Sequence, residues 1–75
     1  MKDQAYIKAF GQNLKKLIKA KGMTPADVAA HGNIETKTVY RVINGEHDTR
    51  IVTIKNIAKG LGVHPKILFH FEFED

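Results

Sequence analysis

The chain contains no cysteine. Neither a disulfide framework nor a thiolate metal site can therefore stabilise the fold. The 75 residues form a single domain, residues 1–75, near the lower size limit for folding without such support. We expect close helix packing, supplemented by self-association, to supply the stability.

A long apolar run is also missing. No stretch approaches the roughly 20 apolar residues that a membrane-spanning helix needs. Charged and polar residues interrupt the amino terminus, where a signal peptide would need an unbroken apolar stretch. The sequence therefore predicts a cytoplasmic protein without a membrane partner.

Patterns for catalysis, metal binding and cofactor binding are absent as well. The four histidines have no metal-ligand spacing, since none of them stand three or four residues apart. No Ser–His–Asp or Cys–His arrangement and no glycine-rich phosphate loop can be assigned. We expect no enzyme activity, no metal site and no cofactor, and we interpret the histidines as surface or cap residues: His31, His47, His64 and His70.

Positive charge is in excess and is unevenly distributed. Residues 1–70 hold all 12 Lys and Arg against five Asp and Glu, a net charge of +7, whereas the last five residues contribute −3. A basic body with an acidic end fits a polyanionic partner bound away from the carboxy terminus.

The spacing of apolar residues predicts five helices, with clear start and end signals. Gly22 ends the first helix as a left-handed cap, and Thr24-Pro25 starts the second. The predicted ranges are about 6–21, 24–32, 35–43, 51–61 and 64–69. The buried stripe expected for the fourth helix consists of Ile51, Ile54, Ile57, Ala58 and Leu61.

The carboxy-terminal tail, residues 69–75, changes period. Phe69, Phe71 and Phe73 alternate with polar residues, which predicts a short strand. One interpretation is that the phenylalanines fold over the core while the end frays. The other is that the strand pairs with its copy across a homodimer axis, because three exposed phenylalanines are costly on a monomer.

Residues 24–45 have the layout of a helix-turn-helix. The third predicted helix buries Val39, Val42 and Ile43 on one side, given 100° of rotation per residue. A small residue at Ala29 allows the two helices to approach closely. Asn33 in the turn is one of the few non-glycine types that tolerate the left-handed conformation.

The opposite side of the third helix carries donors and no carboxylate after its start. Lys37 and Arg41 point almost directly away from the buried side, with Tyr40 and Asn44 beside them. Arg and Lys can donate to guanine O6 and N7, and Thr can offer its methyl group to thymine. This face suits the major groove of duplex DNA.

With these residues at this spacing, the sequence resembles the helix-turn-helix domains of the phage repressor and Cro family, also called Xre-like regulators. The resemblance runs from Phe10-Gly11 through Leu68. It implies an all-α, five-helix domain of the lambda-repressor type, in which a homodimer reads a palindromic operator with its third helix. The matching residues are Gly22-Met23-Thr24, Val28-Ala29, Ile34, Val39, Arg41, Asn44-Gly45, Leu61-Gly62-Val63 and Leu68.

The resemblance also implies roles for individual residues. Thr36, Lys37 and Arg41 match positions that contact bases in the family, and Tyr40 lies on the same exposed face. Asn44 matches a position that contacts the phosphate backbone. We expect Thr24 and two lysines of the basic first helix, Lys15 and Lys19, to contact phosphates as well.

Three positions depart from the family pattern. Pro25 replaces a common glutamine and removes one side-chain contact and one amide donor. Asn33 stands where the turn often has glycine, and Glu35 stands where a capping Ser or Thr is usual. A carboxylate at position 35 favours the helix dipole but repels DNA if it faces the groove.

Three functions remain open from the sequence. The first is a sequence-specific, repressor-like regulator bound to double-stranded DNA. The second is an antitoxin of a toxin–antitoxin pair, with the phenylalanine tail binding the toxin. The third is a protein-interaction module that has lost DNA binding, which Pro25 and Glu35 favour.

Overall fold

The computed structural model describes residues 2–74, which form four α-helices and a final 3-10 helix. These residues contain no strand, so the predicted all-α class is confirmed. No helix within them has both the length and the apolarity needed to cross a lipid bilayer. The elements are α1 (Lys2–Ala20), α2 (Pro25–Gly32), α3 (Thr36–Ile43), α4 (Ile51–Leu61) and the 3-10 helix (Pro65–Phe69).

Two of the predicted helices differ from the structure. α1 begins at Lys2, about one turn before the predicted start, and the Gln4 side-chain amide in this extra turn donates to the Gly45 carbonyl at 2.8 Å. The fifth helix is a 3-10 helix of five residues, opened by Pro65 and capped by His64, whose Nδ1 accepts from the Lys66 amide at 3.1 Å. Both differences fall at chain ends, where helix boundaries are hardest to predict from spacing.

The start of α2 is a capping box. The Thr24 hydroxyl oxygen accepts from the Asp27 amide at 3.2 Å, and the Asp27 carboxylate accepts from the Thr24 amide at 2.9 Å. Pro25 occupies the first helical position. At the other end, Asn33 adopts the left-handed conformation with φ 57° and ψ 45°, as predicted. Local signals therefore define both ends of α2.

α2 lies between α3 and α4, and α1 packs against α3 on one side and the 3-10 helix on another. The α2–α4 contact depends on Gly60. A Cβ at this position would collide with the Val28 carbonyl oxygen and lie 3.1 Å from the Gly32 nitrogen. The two backbones touch here, so the contact excludes any larger residue.

The core is apolar throughout, with no buried polar or charged residue among the described positions. Burial of each large aliphatic side chain contributes about 1.5–3 kcal/mol. The prediction that Ile51 belongs to the buried stripe is wrong: this side chain is 83% exposed, because as the first residue of α4 it extends beyond the packed part of the helix. The core consists of Phe10, Leu14, Ile18, Val28, Ala29, Val39, Val42, Ile43, Ile57, Ala58, Leu61 and Leu68.

The predicted carboxy-terminal strand is not confirmed in the single chain, and its pairing with a second copy stays a prediction. Residues 70–74 have no regular structure and fold back along α1. Phe71 and Phe73 pack on Tyr6 with ring centroids 5.3 Å and 5.0 Å away, and Phe69 packs on Phe10 at 4.9 Å. Within one chain, the tail therefore makes aromatic contacts with α1, and residues 2–74 offer it no neighbouring strand.

Candidate nucleic-acid interface

α3 exposes Lys37 and Arg41 to solvent. The opposite side of the helix is buried, with Val39 fully covered and Val42 2% exposed. α1 and α2 both pack against this buried side. The predicted orientation of α3 is therefore confirmed, and nothing in the described chain covers its basic face.

The end of α3 is rigidly defined by Gly45. This residue has φ +63°, and a Cβ there would lie 2.9 Å from the Lys8 Cα. The Gly45 amide donates to the Val42 carbonyl and the Glu46 amide to the Arg41 carbonyl, each at 3.1 Å. The chain therefore turns sharply here and leaves Asn44 exposed at the helix end.

A groove between α1 and α3 brings several predicted phosphate ligands together. It has a volume of about 280 Å³, and Lys15 and Lys19 of α1 face Tyr40 and Asn44 of α3 across it. We call it the α1–α3 groove. Its full lining is Lys15, Ile18, Lys19, Met23, Pro25, Tyr40, Ile43 and Asn44.

The other lysines of α1 do not all share this location. Lys16 lines a separate depression with His70 and Glu72, beside the tail. The basic face predicted for the first helix is therefore divided. Lys15 and Lys19 lie with α3, and Lys16 lies where an acidic side chain of the tail is its neighbour.

Thr24 lies at the start of α2, next to Pro25 on the rim of the α1–α3 groove. Its oxygen already accepts the Asp27 amide, but the exposed hydroxyl keeps its own proton to donate. The Asp27 carboxylate, however, sits at the same helix end and opposes an anion there. Attraction of a phosphate at this edge therefore depends mainly on the lysines of α1.

The Asn44 side chain already has a partner. Its Nδ2 lies 3.5 Å from a carboxylate oxygen of Glu46, and both residues are exposed. This amide would have to turn away from Glu46 to donate to a phosphate. Sequence reasoning missed Glu46, although a carboxylate two residues after an expected phosphate ligand was a visible signal.

A second groove lies on the other flank of α3, against the loop that leads to α4. It has a volume of about 350 Å³. We call it the α3–α4 groove. Sequence reasoning assigned no role to residues 46–50 and missed this groove. Its lining is Thr38, Val42, His47, Asp48, Thr49, Arg50 and Thr53.

The four predicted base-reading residues are all exposed but do not share one direction. Lys37 and Arg41 lie on the outer face, Thr36 is the first residue of α3, and Tyr40, 49% exposed, lies on the flank towards α1. Contact of these four with bases stays a prediction. Glu35 precedes them as the N-cap without a side-chain hydrogen bond to the helix.

Two short helices joined through a left-handed turn, with a basic second helix open to solvent, define a helix-turn-helix DNA-binding domain. Residues 13–74 match the family model of the Cro/C1-type HTH DNA-binding domain. The chain belongs to this family of DNA-binding transcriptional regulators, which is non-enzymatic.

Solved structures agree with this assignment. The restriction-modification controller protein C.AhdI from Aeromonas hydrophila is 31% identical over 87% of this chain and 98% of its own, with a TM-score of 0.82. The wild-type restriction-modification controller protein C.Esp1396I is 25% identical over 85% of this chain and 83% of its own, with a TM-score of 0.76. No curated protein matches the sequence.

Proposed function

We propose that this protein is a sequence-specific regulator that places α3 in the major groove of an operator. The observation that carries this proposal is the exposed face of Lys37 and Arg41, which has a groove on each side. The groove on the α1 side contains the lysines Lys15 and Lys19. A helix in the major groove needs donors on its outer face and phosphate ligands at its edges.

The first step of binding is electrostatic. The net charge of +7 on residues 1–70 attracts duplex DNA at long range. Lys15 and Lys19 then neutralise phosphates along one strand, and Asn44 and Thr24 donate to the same backbone. These contacts set the position of α3 without reading the sequence.

Base reading follows from the outer face of α3. Arg41 and Lys37 donate to O6 and N7 of guanine, and the methyl group of Thr36 contacts thymine. Tyr40 lies on the flank, where its ring contacts a sugar or a thymine methyl group. Each well-formed base contact contributes about 1–3 kcal/mol of discrimination.

The simplest mode of action is repression by occupying the operator. The likeness to two restriction-modification controller proteins favours restriction and modification genes as the targets. A DNA-binding regulator works in the compartment that holds the DNA, in keeping with the cytoplasmic location expected from the sequence.

The gene neighbourhood tests the target: restriction and modification genes support this assignment, and an adjacent toxin gene supports the antitoxin function instead.

Selection of bound sites from a random DNA pool tests the proposal directly. We expect enrichment of one motif, arranged as an inverted repeat. The double variant Lys37→Ala/Arg41→Ala should lose the enrichment, whereas Lys66→Ala on the 3-10 helix should keep it. No enrichment, together with no mobility shift on random-sequence duplex at low salt, would overturn this proposal and favour the protein-interaction module.

We also propose a homodimer, with Phe69 at its interface. Phe69 is 45% exposed and lines an apolar groove with Tyr6 and Ile54. Ile51 lies one helical turn before Ile54 and adds a second exposed apolar side chain. Phe71 and Phe73 contribute indirectly, because their rings pack on Tyr6 of their own chain and support its position in the groove. Such a cluster is costly in water and favours pairing of two copies.

Sedimentation equilibrium tests the dimer. Ile51→Glu and Phe69→Glu should each give the mass of a monomer, while Val52→Glu, next along α4, is the matched control for an added charge. Removal of residues 70–75 separates this interface from the predicted strand pairing. The mass stays that of a dimer if Ile51 and Phe69 form the contact, and falls if the tail forms it.

A further inference from the structure

The α1–α3 groove has an apolar interior as well as a basic edge. The core side chains Ile18 and Ile43 lie at its base and are only 3% and 7% exposed. Met23 and Pro25 are partly exposed in its lining, and the ring of Tyr40 is half-exposed. A phosphate group can contact the lysines of the groove, but it has no apolar part that matches this interior.

Pro25 adds to the apolar character at the start of α2. The first residues of a helix normally offer free backbone amides to an anion. Proline has no amide hydrogen, so this residue presents its ring to the groove and no donor. The groove therefore combines few backbone donors with an apolar surface, which suits a ligand that is largely apolar.

One edge of the groove is cationic. Lys15 and Lys19 stand one helical turn apart on α1, and both are exposed in the groove lining. Side chains at this spacing lie on the same face of a helix, so two ammonium groups can contact one anion. No acidic residue lines the groove. The Asp27 carboxylate lies outside the lining and accepts from the Thr24 amide. The groove is therefore complementary to a single negative charge.

The size of the groove limits the kind of ligand. Its volume of about 280 Å³ is close to the lower end of the range for small-molecule sites, roughly 300–1,000 Å³. An aromatic ring suits the lining in particular. Tyr40 offers the face of its ring, and the Met23 thioether makes favourable contacts with aromatic groups.

We propose that the α1–α3 groove binds a small aromatic carboxylate and that this ligand competes with DNA. Its ring lies against Met23, Pro25 and Tyr40, and its carboxylate accepts from Lys15 and Lys19. The same two lysines are the proposed phosphate ligands, so a bound carboxylate releases the protein from the operator. The competition rests on the proposed function, whereas binding of the ligand does not.

Nuclear magnetic resonance of protein with ¹³C-labelled Met and Ile methyl groups tests the site, with 2-naphthoate as the probe. We expect a saturable shift of the Met23 methyl signal with a Kd of roughly 0.1–1 mM, as is usual for a ligand of this size. The neutral analogue 2-naphthamide should bind roughly three- to tenfold more weakly, because it forms no ion pair with the lysines.

Charge variants test the contribution of the two lysines. The double variant Lys15→Gln/Lys19→Gln should bind 2-naphthoate as weakly as 2-naphthamide. Lys16→Gln/Lys66→Gln removes the same charge outside the groove and is the matched control, so it should keep the wild-type preference for the carboxylate.

Fluorescence anisotropy with a labelled duplex tests the competition. With 2-naphthoate at ten times its Kd, the affinity of wild-type protein for DNA should fall about tenfold. Sodium acetate at the same concentration controls for ionic strength and should have little effect. 2-Naphthamide should reduce the affinity much less than 2-naphthoate does.

Several results would overturn the inference. They are an unchanged Met23 signal, a shift confined to Ile54 in the groove beside Tyr6 and Phe69, and equal affinity for 2-naphthoate and 2-naphthamide. Binding of 2-naphthoate beside Met23 without loss of DNA affinity would overturn the competition. A protein that binds 2-naphthoate but no DNA would keep the ligand site and overturn the proposed function, so the two failures are distinguishable.

Discussion

Arg41 projects from the exposed face of α3, one turn after Lys37. No part of the described chain accepts a side-chain hydrogen bond from it, so its donors are available to a base. Arg41→Ala should lose about 1–3 kcal/mol of binding at one base position and accept other bases there. Competition between the selected operator and its single-base variants measures this loss, with Lys66→Ala as the control for removal of one positive charge. An equal loss on every DNA sequence would place Arg41 on the backbone instead.

At the residue scale, we expect Glu46 to oppose the proposed phosphate contact of Asn44. Its carboxylate would repel the DNA backbone, and it lies 3.5 Å from the Asn44 side-chain amide. Glu46→Gln removes the negative charge at almost the same size and should tighten binding by roughly two- to fivefold, as expected for one exposed charge contact. Glu72→Gln in the tail is the matched control. Titration of both variants with one duplex measures their affinities for DNA. Unchanged affinity of Glu46→Gln would mean that Asn44 contacts no phosphate.

At the scale of elements, the turn between α2 and α3 sets the orientation of α3 relative to α2. Asn33 supplies the left-handed residue of this turn, and its amide donates to the Ala30 carbonyl. Asn33→Ala should lower the free energy of unfolding by about 1 kcal/mol, because a Cβ without a compensating polar group disfavours this conformation. Asn33→Gly should be neutral or slightly stabilising. Thermal unfolding followed by circular dichroism measures both, and equal stability of the alanine and glycine variants would contradict the argument.

At the scale of the whole molecule, folding decides which lysines of α1 lie beside α3. Lys15 and Lys16 are neighbours in sequence, yet Lys15 lines the α1–α3 groove and Lys16 lies beside the tail. Lys15→Ala should therefore reduce the slope of log K against log salt by about 0.9. Lys16→Ala, which removes the same charge one residue away, should change the slope much less. Equal effects of the two substitutions would mean that net charge alone controls binding.

Much of the fold was predictable because its signals are local. Thr24 and Asp27 cap α2 within one turn, and Asn33 and Gly22 adopt the left-handed conformations that their types suggest. The periodicity of α3 also predicted which of its sides is buried. Ile51 shows the limit of such reasoning. Periodicity predicted that it is buried, but as the first residue of α4 it lies outside the packed part of the helix.

The candidate site was predictable only in part for the same reason. The outward direction of Lys37 and Arg41 follows from the rotation of one helix. The α3–α4 groove is lined by residues of α3, of the following loop and of α4. A pattern within one element does not indicate that residues of three segments lie together. The role of the tail was also open, since phenylalanine alternation alone does not distinguish a strand from rings that pack on Tyr6.

The sequence by itself determined the ends of α2, α3 and α4 to within one residue, which side of α3 faces the core, and the excess of positive charge. These features depend on residues within about one helical turn of each other, or on composition. The tertiary structure alone decided that Lys15 and Lys19 meet Tyr40 and Asn44, that Ile51 stays exposed, and that the tail lies on α1. Each of these depends on how surfaces far apart in the chain fit together, and that fit is set by the packing of whole helices.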